Sequence, residues 1–456
     1  MKVIKKFKLD DTTKFEKYSY IYTISIVTLI FIYNLIRFSI FEGYDADAHI
    51  AYVDFISMYL PRDFVLPLEE HTYEYFSPPI AYLFPSLVQI ICRNFIESAD
   101  IVKSCQPIYG KLTQVFQTIL LGASIYIYSK ILKKLLNKNS VYNLTFLILV
   151  STMAVNYRSF LMIRGEPYII FFLSLLILNI IKNKDNLWKI KAKEIISFSL
   201  IVSGIMLSRQ WGALLLPALL FLTLIVKKDA RLNYFKFMSY VLILFLIISM
   251  PFFLHLLNNS GSLISFNKDP SGFSFDNQPS NFYNPLNQSA FKLFTNPIRG
   301  NFDNQYFPIL YSDLWGDYWG YFSFVSNPNL DSWGQNSIGG YLGRVNLFSI
   351  IPFLIFVISF FKVKSNNLNR EVVFYTKYSI IFSLIGYTWF LIMYPELPSG
   401  DTIKATYMLQ IFFLLAFLSA IYTDQIKHRN IKLYILLNVI LLLVFSHNVM
   451  AFIVHF

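Results

Sequence analysis

Charge is scarce in this chain: Asp, Glu, Lys and Arg make up 14% of its 456 residues, against 55% hydrophobic. With a mean hydropathy of +0.49, that balance excludes an ordinary soluble globular domain. Cysteine is almost missing as well. Only Cys92 and Cys105 are present, so there is no CxxC metal or redox pair, and no disulfide framework is expected. The histidines are few and scattered, so His49 and His71 make no case for zinc. No Gly-rich strand-turn-helix pattern is there to cradle a nucleotide. Short alternating barrel strands are absent too, because the apolar runs are too long and too continuous.

What fills the chain is a succession of apolar runs separated by brief polar punctuation. A run of roughly 20 residues crosses the hydrocarbon core as a helix, the one open-ended form that satisfies its own backbone. The expected fold is therefore all-α, a polytopic transmembrane helical bundle of about 11 helices, within a range of about 10 to 13. The net charge of +12 sits mostly in short segments beside the apolar runs, the positive-inside pattern rather than a nucleic-acid patch.

That bias sets the topology. Lys2, Lys5, Lys6, Lys8, Lys14 and Lys17 hold residues 1–18 in the cytosol, and the run behind them reads as a first transmembrane helix (19–40), not a removed signal. Lys130, Lys133, Lys134 and Lys138, residues 182–193, 227–236 and 362–370, and Lys427 with Arg429 are cytosolic anchors of the same kind. A transmembrane module then covers 19–257, including a first outer loop at 41–106. A large outer loop follows at 258–344, and four more helices occupy 345–456. Within the module 107–129 crosses, 141–157 pairs with 167–181, 195–207 pairs with 212–226, and 237–257 leads outward. Residues 79–96, short and carrying Pro79 and Pro85, are expected to lie on the surface or re-enter rather than cross. Asn258 and Asn287 open short sequons in the outer loop.

The outer face gathers the chemistry. Asp45, Asp47, His49 and Asp54 follow the first helix, then Glu74 before a YFSPPIAY turn; Arg158, Arg164, Glu166 and Arg209 occupy two short turns. Asp313 and Asp317 lie in YSDLWGDYWGYF, and Lys404 in the last outer turn. Lys111 leads a polar stripe with Gln114 and Gln117 near the outer end of its helix, and such groups face a bundle interior or a wet cavity. Carboxylates that accept a proton, together with cations that hold a phosphate, are what transfer from an anionic membrane carrier needs. The plainer readings are a solvated helix N-terminus for Asp45 and Asp47, an interfacial belt for the aromatics, and snorkelling anchors for the arginines. Asp54, further along, is expected simply to face water.

The text YDADAHIAYVDFI, then EEHTYEYFSPPIAY, resembles the first outer loop of the membrane-embedded GT-C glycosyltransferases. The nearest pattern is that of the family-39-type enzymes, related to protein O-mannosyltransferases and aminoarabinose transferases. NYRSFLMIRGEPYIIFF resembles the arginine-plus-acid turn of oligosaccharyltransferase catalytic subunits, and SGDTIKATYML a segment of some bacterial members. The resemblance implies a seven-helix module and a sugar transferred from a polyprenyl-phosphate donor to an acceptor hydroxyl on a glycan, lipid or protein. It implies Asp45 or Asp47 as base, the acidic doublet being split by Ala46, which leaves both open. Arg164 and Lys404, then Arg158, Arg209 and Lys111, become donor-phosphate contacts; His49, Glu74, Glu166, Trp315, Asp317, Tyr318 and Trp319 become substrate contacts. No cofactor is expected for certain, a divalent cation is left open, and no nucleic acid is involved. The implied setting is the plasma membrane, with the site on its extracytoplasmic face. A transporter or lipid flippase, a polymerase or ligase with a diphosphate-linked donor, and a non-catalytic scaffold are the alternatives.

Overall fold

A computed structural model describes residues 9–96, 100–136, 143–266, 268–284, 288–320, 332–365 and 370–455. Lys2, Lys5, Lys6, Lys8, Lys138, the second sequon at Asn287, and the end of the YSDLWGDYWGYF stretch lie outside them. The described residues are helical, without strands. In chain order the helices are α1 Leu9–Arg37, α2 Ala46–Tyr59, α3 Ile80–Arg93, α4 Ile101–Leu135, α5 Leu144–Thr152 and α6 Ala154–Ser159. Next come α7 Glu166–Asp185, α8 Ala192–Ser208, α9 Pro217–Phe221, α10 Lys228–Ser260, α11 Ser280–Tyr283 and α12 Tyr306–Trp315. α13 Ser332–Phe348, α14 Ile350–Lys362, α15 Arg370–Met393, α16 Leu409–Arg429 and α17 Ile431–Asn448 complete the set. Among the described residues, eight stretches are long and apolar enough to cross a membrane, including Thr13–Arg37, Ile101–Leu135, Lys228–Ser260 and Ser337–Lys362. The chain is thus a polytopic helical membrane protein.

α5 is the hub. Every one of its nine residues is buried, packed between α1, α16 and α17, which is why it is apolar all round rather than on one stripe. The expected single crossing at 141–157 is instead broken at Met153, whose extended backbone (φ −77°, ψ 105°) separates α5 from α6. The break leaves carbonyls without helical partners. Asn156 Nδ2 donates to the Val150 carbonyl at 2.6 Å and the Tyr157 hydroxyl to that of Ser151 at 2.9 Å, so side chains satisfy what the helix gave up. The stretch expected to cross at 212–226 is also irregular: 3-10 turns flank the five residues of α9, which opens with Pro217. The first of these turns folds closely onto the end of α8 because Gly212 lies against the Ile205 carbonyl, where a Cβ would come within 2.3 Å.

The lysine-rich ends of the helices share one face. Lys134 pairs with Asp185, Lys184 with Glu371 at 2.7 Å, Lys182 with Glu194 at 2.9 Å, and Lys427 with Glu16 at 2.8 Å. On the other face lie α2, the 160–166 turn, the 209–212 turn and the last loop before α16. α3 is 14 residues long, short of the roughly 20 that a crossing takes. Part of the outer loop is more ordered than its Asn, Ser and Gly content suggests, since α12 is a buried helix.

Two expectations are corrected on this face. Cys92 and Cys105 are joined in a disulfide, their Cα atoms 6.0 Å apart, because the α3–α4 hairpin folds the two helices together. Asp54 does not merely face water. It accepts from Gln89 Nε2 at 2.6 Å, Gln106 Nε2 at 2.8 Å and the Tyr109 hydroxyl at 3.3 Å, tying α2 to the same hairpin, and burial pushes its carboxyl up from the ordinary value despite these donors. The disulfide gives a direct check: without reductant, neither cysteine of the unfolded chain should take up a maleimide, and both should after reduction. Labelling of the unreduced chain would remove the bridge.

Candidate active site

Asp45 ends the turn that leads into α2, and its backbone is left-handed (φ 54°, ψ 29°). That conformation is uncommon outside glycine, though Asp and Asn tolerate it. Its carboxylate makes no capping bond to the helix, the usual employment of an acid at this position. Instead Asp45 lines a cavity of about 400 Å³, together with Gly43, Tyr44, Glu74, Arg209, Lys404 and Tyr407. Asp47, in the first turn of α2, is exposed and is not part of the cavity wall.

Three cations from three separate turns surround one ring. The Tyr407 centroid lies 5.4 Å from Arg164 Cζ, 5.7 Å from Lys404 Nζ and 6.0 Å from Arg209 Cζ. Lys404 Nζ is also 4.2 Å from the centre of the Tyr44 ring, with Arg164 Cζ at 5.9 Å. Aromatic faces stabilise cations at such distances, and more so where water is excluded. Two carboxylates supply the rest of the compensation. Glu74 accepts from Arg209 Nη1 at 2.7 Å and from Ser77, while Glu166 lies 3.3 Å from Arg164 Nε and 3.6 Å from Arg209 Nε. The match is incomplete: Arg164 is fully buried, yet neither Nη1 nor Nη2 has a hydrogen-bond partner. Among the described residues Lys404 has no carboxylate at ion-pair distance. A buried guanidinium with open donors behind two tyrosines, beside a free ammonium, has the chemistry to take up an anion.

Lys404 is held by its backbone. Its N–H donates to the Tyr387 hydroxyl at 2.8 Å, which donates in turn to the Thr402 carbonyl at 2.9 Å. The next residue is fixed from the opposite side, the Ala405 N–H donating to Asp313 Oδ2 at 2.6 Å. Asp313 is held by Arg158, whose Nη2 lies 3.2 Å from Oδ1, and Arg158 Nη1 reaches Asp317 at 2.9 Å. Arg158 also donates to the carbonyls of Asp313 and Gly316. Both guanidinium amino groups are therefore engaged, and Arg158 with Asp317 serves as a buried strut under the Lys404 loop rather than as part of the cavity wall.

Other expected site residues also settle elsewhere. Lys111 Nζ donates to the carbonyls of Leu35 and Phe38 at 2.6 Å each; it closes the carbonyl end of α1, where a cation is favoured. Trp315 stacks on Phe356 and Tyr318 on Phe302, both buried away from the cavity. Of the three aromatics only Trp319 lines it, its ring edge against Tyr44. Tyr44, Ser77, Trp211, Phe266, Phe390, Tyr394 and Tyr407 line it too without having been singled out from the sequence. Tyr407 carried a usable signal, three residues from Lys404 in SGDTIKATYML; the aromatics of the other segments carried none.

His49 extends the network beneath the cavity. Its Nδ1 shares a 2.8 Å hydrogen bond with the Tyr82 hydroxyl, and its Nε2 lies 3.9 Å from Glu74. Burial pushes the imidazole down to about 4; Glu74 opposes the shift and the nearby Arg164 and Arg209 reinforce it. Burial alone would raise the Glu74 carboxyl, but Arg209, His49 and Ser77 together hold it well below the ordinary carboxylate range. Among the described residues no three His, Cys, Asp or Glu side chains are grouped to hold a metal. Glu74 and Glu166 are both engaged by arginines.

No protein-family model matches the sequence, and no curated protein does. Among solved structures, the chain is similar to the crystal structure of ArnT from Cupriavidus metallidurans bound to undecaprenyl phosphate. The two are 11% identical, with a TM-score of 0.49 over 91% of this chain and 61% of the other. The present chain thus spans about three fifths of the length of that protein.

Two outcomes follow from the geometry. His49 titrates near 4 when folded against 6.5 as a free side chain, so the unfolded chain binds more protons in between, and stability falls with pH from about 6.5 to about 4. The depressed Glu74 carboxyl acts in the same direction below its ordinary value of 4.5. Thermal unfolding in detergent should show a shallower pH slope across that window for His49→Gln than for wild type; equal slopes would contradict the assignment. Gly165 is the second case, because a Cβ there would meet the Ser208 carbonyl at 1.8 Å. Gly165→Ala should destabilise by roughly 1–3 kcal/mol through overpacking, measured as a lowered Tm, by forcing apart the turns that carry Arg164 and Arg209.

Proposed function

We propose that the chain is a glycosyltransferase of the GT-C kind, moving a sugar from a polyprenyl-phosphate donor to an acceptor hydroxyl on the face opposite its lysine-rich helix ends. The observation that carries this reading is the gathering of Arg164, Arg209 and Lys404 around the Tyr407 ring, which lines a cavity whose wall also holds Arg209, Lys404 and the uncommitted carboxylate of Asp45, with Arg164 buried behind it.

The chemistry follows from those groups. Asp45 accepts the proton of the acceptor hydroxyl as its oxygen attacks the anomeric carbon. The new C–O bond forms there while the bond from the same carbon to the phosphate oxygen breaks, and the electron pair leaves with the lipid phosphate. The departing monoester gains negative charge but needs no proton, so fixed cations suffice to stabilise it. Lys404 meets the phosphate from the cavity wall, and Arg164 reaches it with its open Nη donors once Tyr44 or Tyr407 gives way. Arg209, committed to Glu74 and Ser77, contributes field rather than direct contact. Trp319 and Trp211 offer faces against which a sugar ring packs. The cystine at Cys92 and Cys105 supports an oxidising, extracytoplasmic side for this face.

Asp45→Asn keeps the side-chain shape and tolerates the left-handed backbone. In a transfer assay with polyprenyl-phosphate sugars it should cut turnover by about 10²–10⁴-fold while leaving folding and donor binding intact. Lys404→Ala should weaken donor binding as well as turnover. Wild-type turnover in Asp45→Asn, with Asp47→Asn inactive, would move the base to Asp47; transfer by neither wild type nor variant from any carrier tried would refute the reading.

A further inference from the structure

An apolar hollow larger than this cavity lies apart from it, sharing none of its lining residues. The irregular stretch from Gln210 to Leu224 packs beside α8 and α10 less completely than a continuous helix would, leaving a groove of about 1010 Å³. Leu216, Leu220, Leu232, Phe235, Met238 and Leu242 line it, and several of them are more than half exposed, Phe235 and Leu220 at 64% each. One end is different in kind, because Lys228 and Arg231 close it.

These two cations are three residues apart at the start of α10, neighbours on one helix face. Arg231 Nη2 donates to the Leu224 carbonyl at 3.3 Å, which holds the guanidinium at the rim. Among the described residues, neither Lys228 nor Arg231 has a carboxylate at ion-pair distance. The position of the pair in the membrane is fixed by α10 itself. Phe252, on the same helix, packs with Tyr75 and Phe76 beside the cavity, and a rise of 1.5 Å per residue puts Lys228 about 36 Å below it. The pair therefore lies at the opposite membrane face, that of the lysine-rich helix ends.

We infer that this groove binds an anionic diacyl phospholipid of the cytoplasmic leaflet, with its phosphate on Lys228 and Arg231 and an acyl chain against the leucines and Phe235. Charge complementarity selects this occupant. A basic pocket between membrane helices on that side attracts an anionic headgroup, whereas an uncharged chain would leave both cations unmatched. The tail of a donor lipid whose phosphate sits at the opposite face would do the same. The site is independent of the glycosyltransferase reading.

The test uses the full chain in detergent, with phosphatidylglycerol and phosphatidylcholine as probes and native mass spectrometry to count retained lipid. Phosphatidylglycerol should be retained in preference. The double variant Lys228→Gln, Arg231→Gln should weaken it roughly 30-fold, at about fivefold per basic side chain. Both residues are exposed, so the fold is spared. Ser239→Trp, which fills the exposed edge of the groove, should lower retention while leaving both charges in place. Four results would each overturn the inference: equal retention of phosphatidylcholine, unchanged phosphatidylglycerol binding in the double variant, its displacement by stoichiometric polyprenyl monophosphate, or a dimer that Ser239→Trp abolishes.

Discussion

Keeping arginine charged away from water is the constraint around which the outer half of this molecule is arranged. An isolated buried guanidinium is costly, and it persists only where opposite charge and hydrogen bonds surround it. Arg209 meets that condition with Glu74 and Ser77, Arg158 with Asp313 and Asp317. Arg164 meets it only in part. It has Glu166 on one side and two tyrosine faces on the other, and two of its nitrogens find nothing. That shortfall sets Arg164 apart from the guanidiniums that brace the fold, and the proposed lipid phosphate is what would make it good.

The braces and the under-satisfied Arg164 belong to one assembly. The Arg158 strut fixes Asp313, Asp313 fixes the Ala405 amide, and the preceding residue is Lys404. Gly165 lets the turn carrying Arg164 lie against the end of α8, where the chain continues into Arg209. Segments far apart in sequence thus converge through backbone contacts, and the aromatic rings occupy the space between their charges. Preorganised charge of this kind acts on a leaving phosphate without having to reorganise as the bond breaks.

How much of this could be read from residues alone depended on the kind of signal. Hydropathy is summed over many positions, and it made the polytopic helical class legible. The breaks at Met153 and around Pro217 escaped because nothing in an apolar run says which carbonyls a distant Asn156 or Tyr157 will satisfy. The same limit hid the work of Lys111: a cation on a polar stripe looks alike whether it meets a ligand or the end of α1. Asp54 and the cysteine pair were misjudged for a related reason, since the α3–α4 hairpin that brings their partners close is a tertiary event. Asp45 and Asp47 were left as equals by sequence, and only the turn of the backbone separates the one at the cavity from the one in solvent.

On the proposed function, the Tyr407 cluster receives a lipid phosphate. The most direct measurement is a structure of the full chain with a polyprenyl monophosphate bound in a lipid nanodisc. The phosphate is expected in the cavity, in contact with Lys404 Nζ and with an Arg164 Nη group, and Tyr44 or Tyr407 displaced to admit it. A phosphate seated elsewhere, with Arg164 still closed behind both rings, would contradict it.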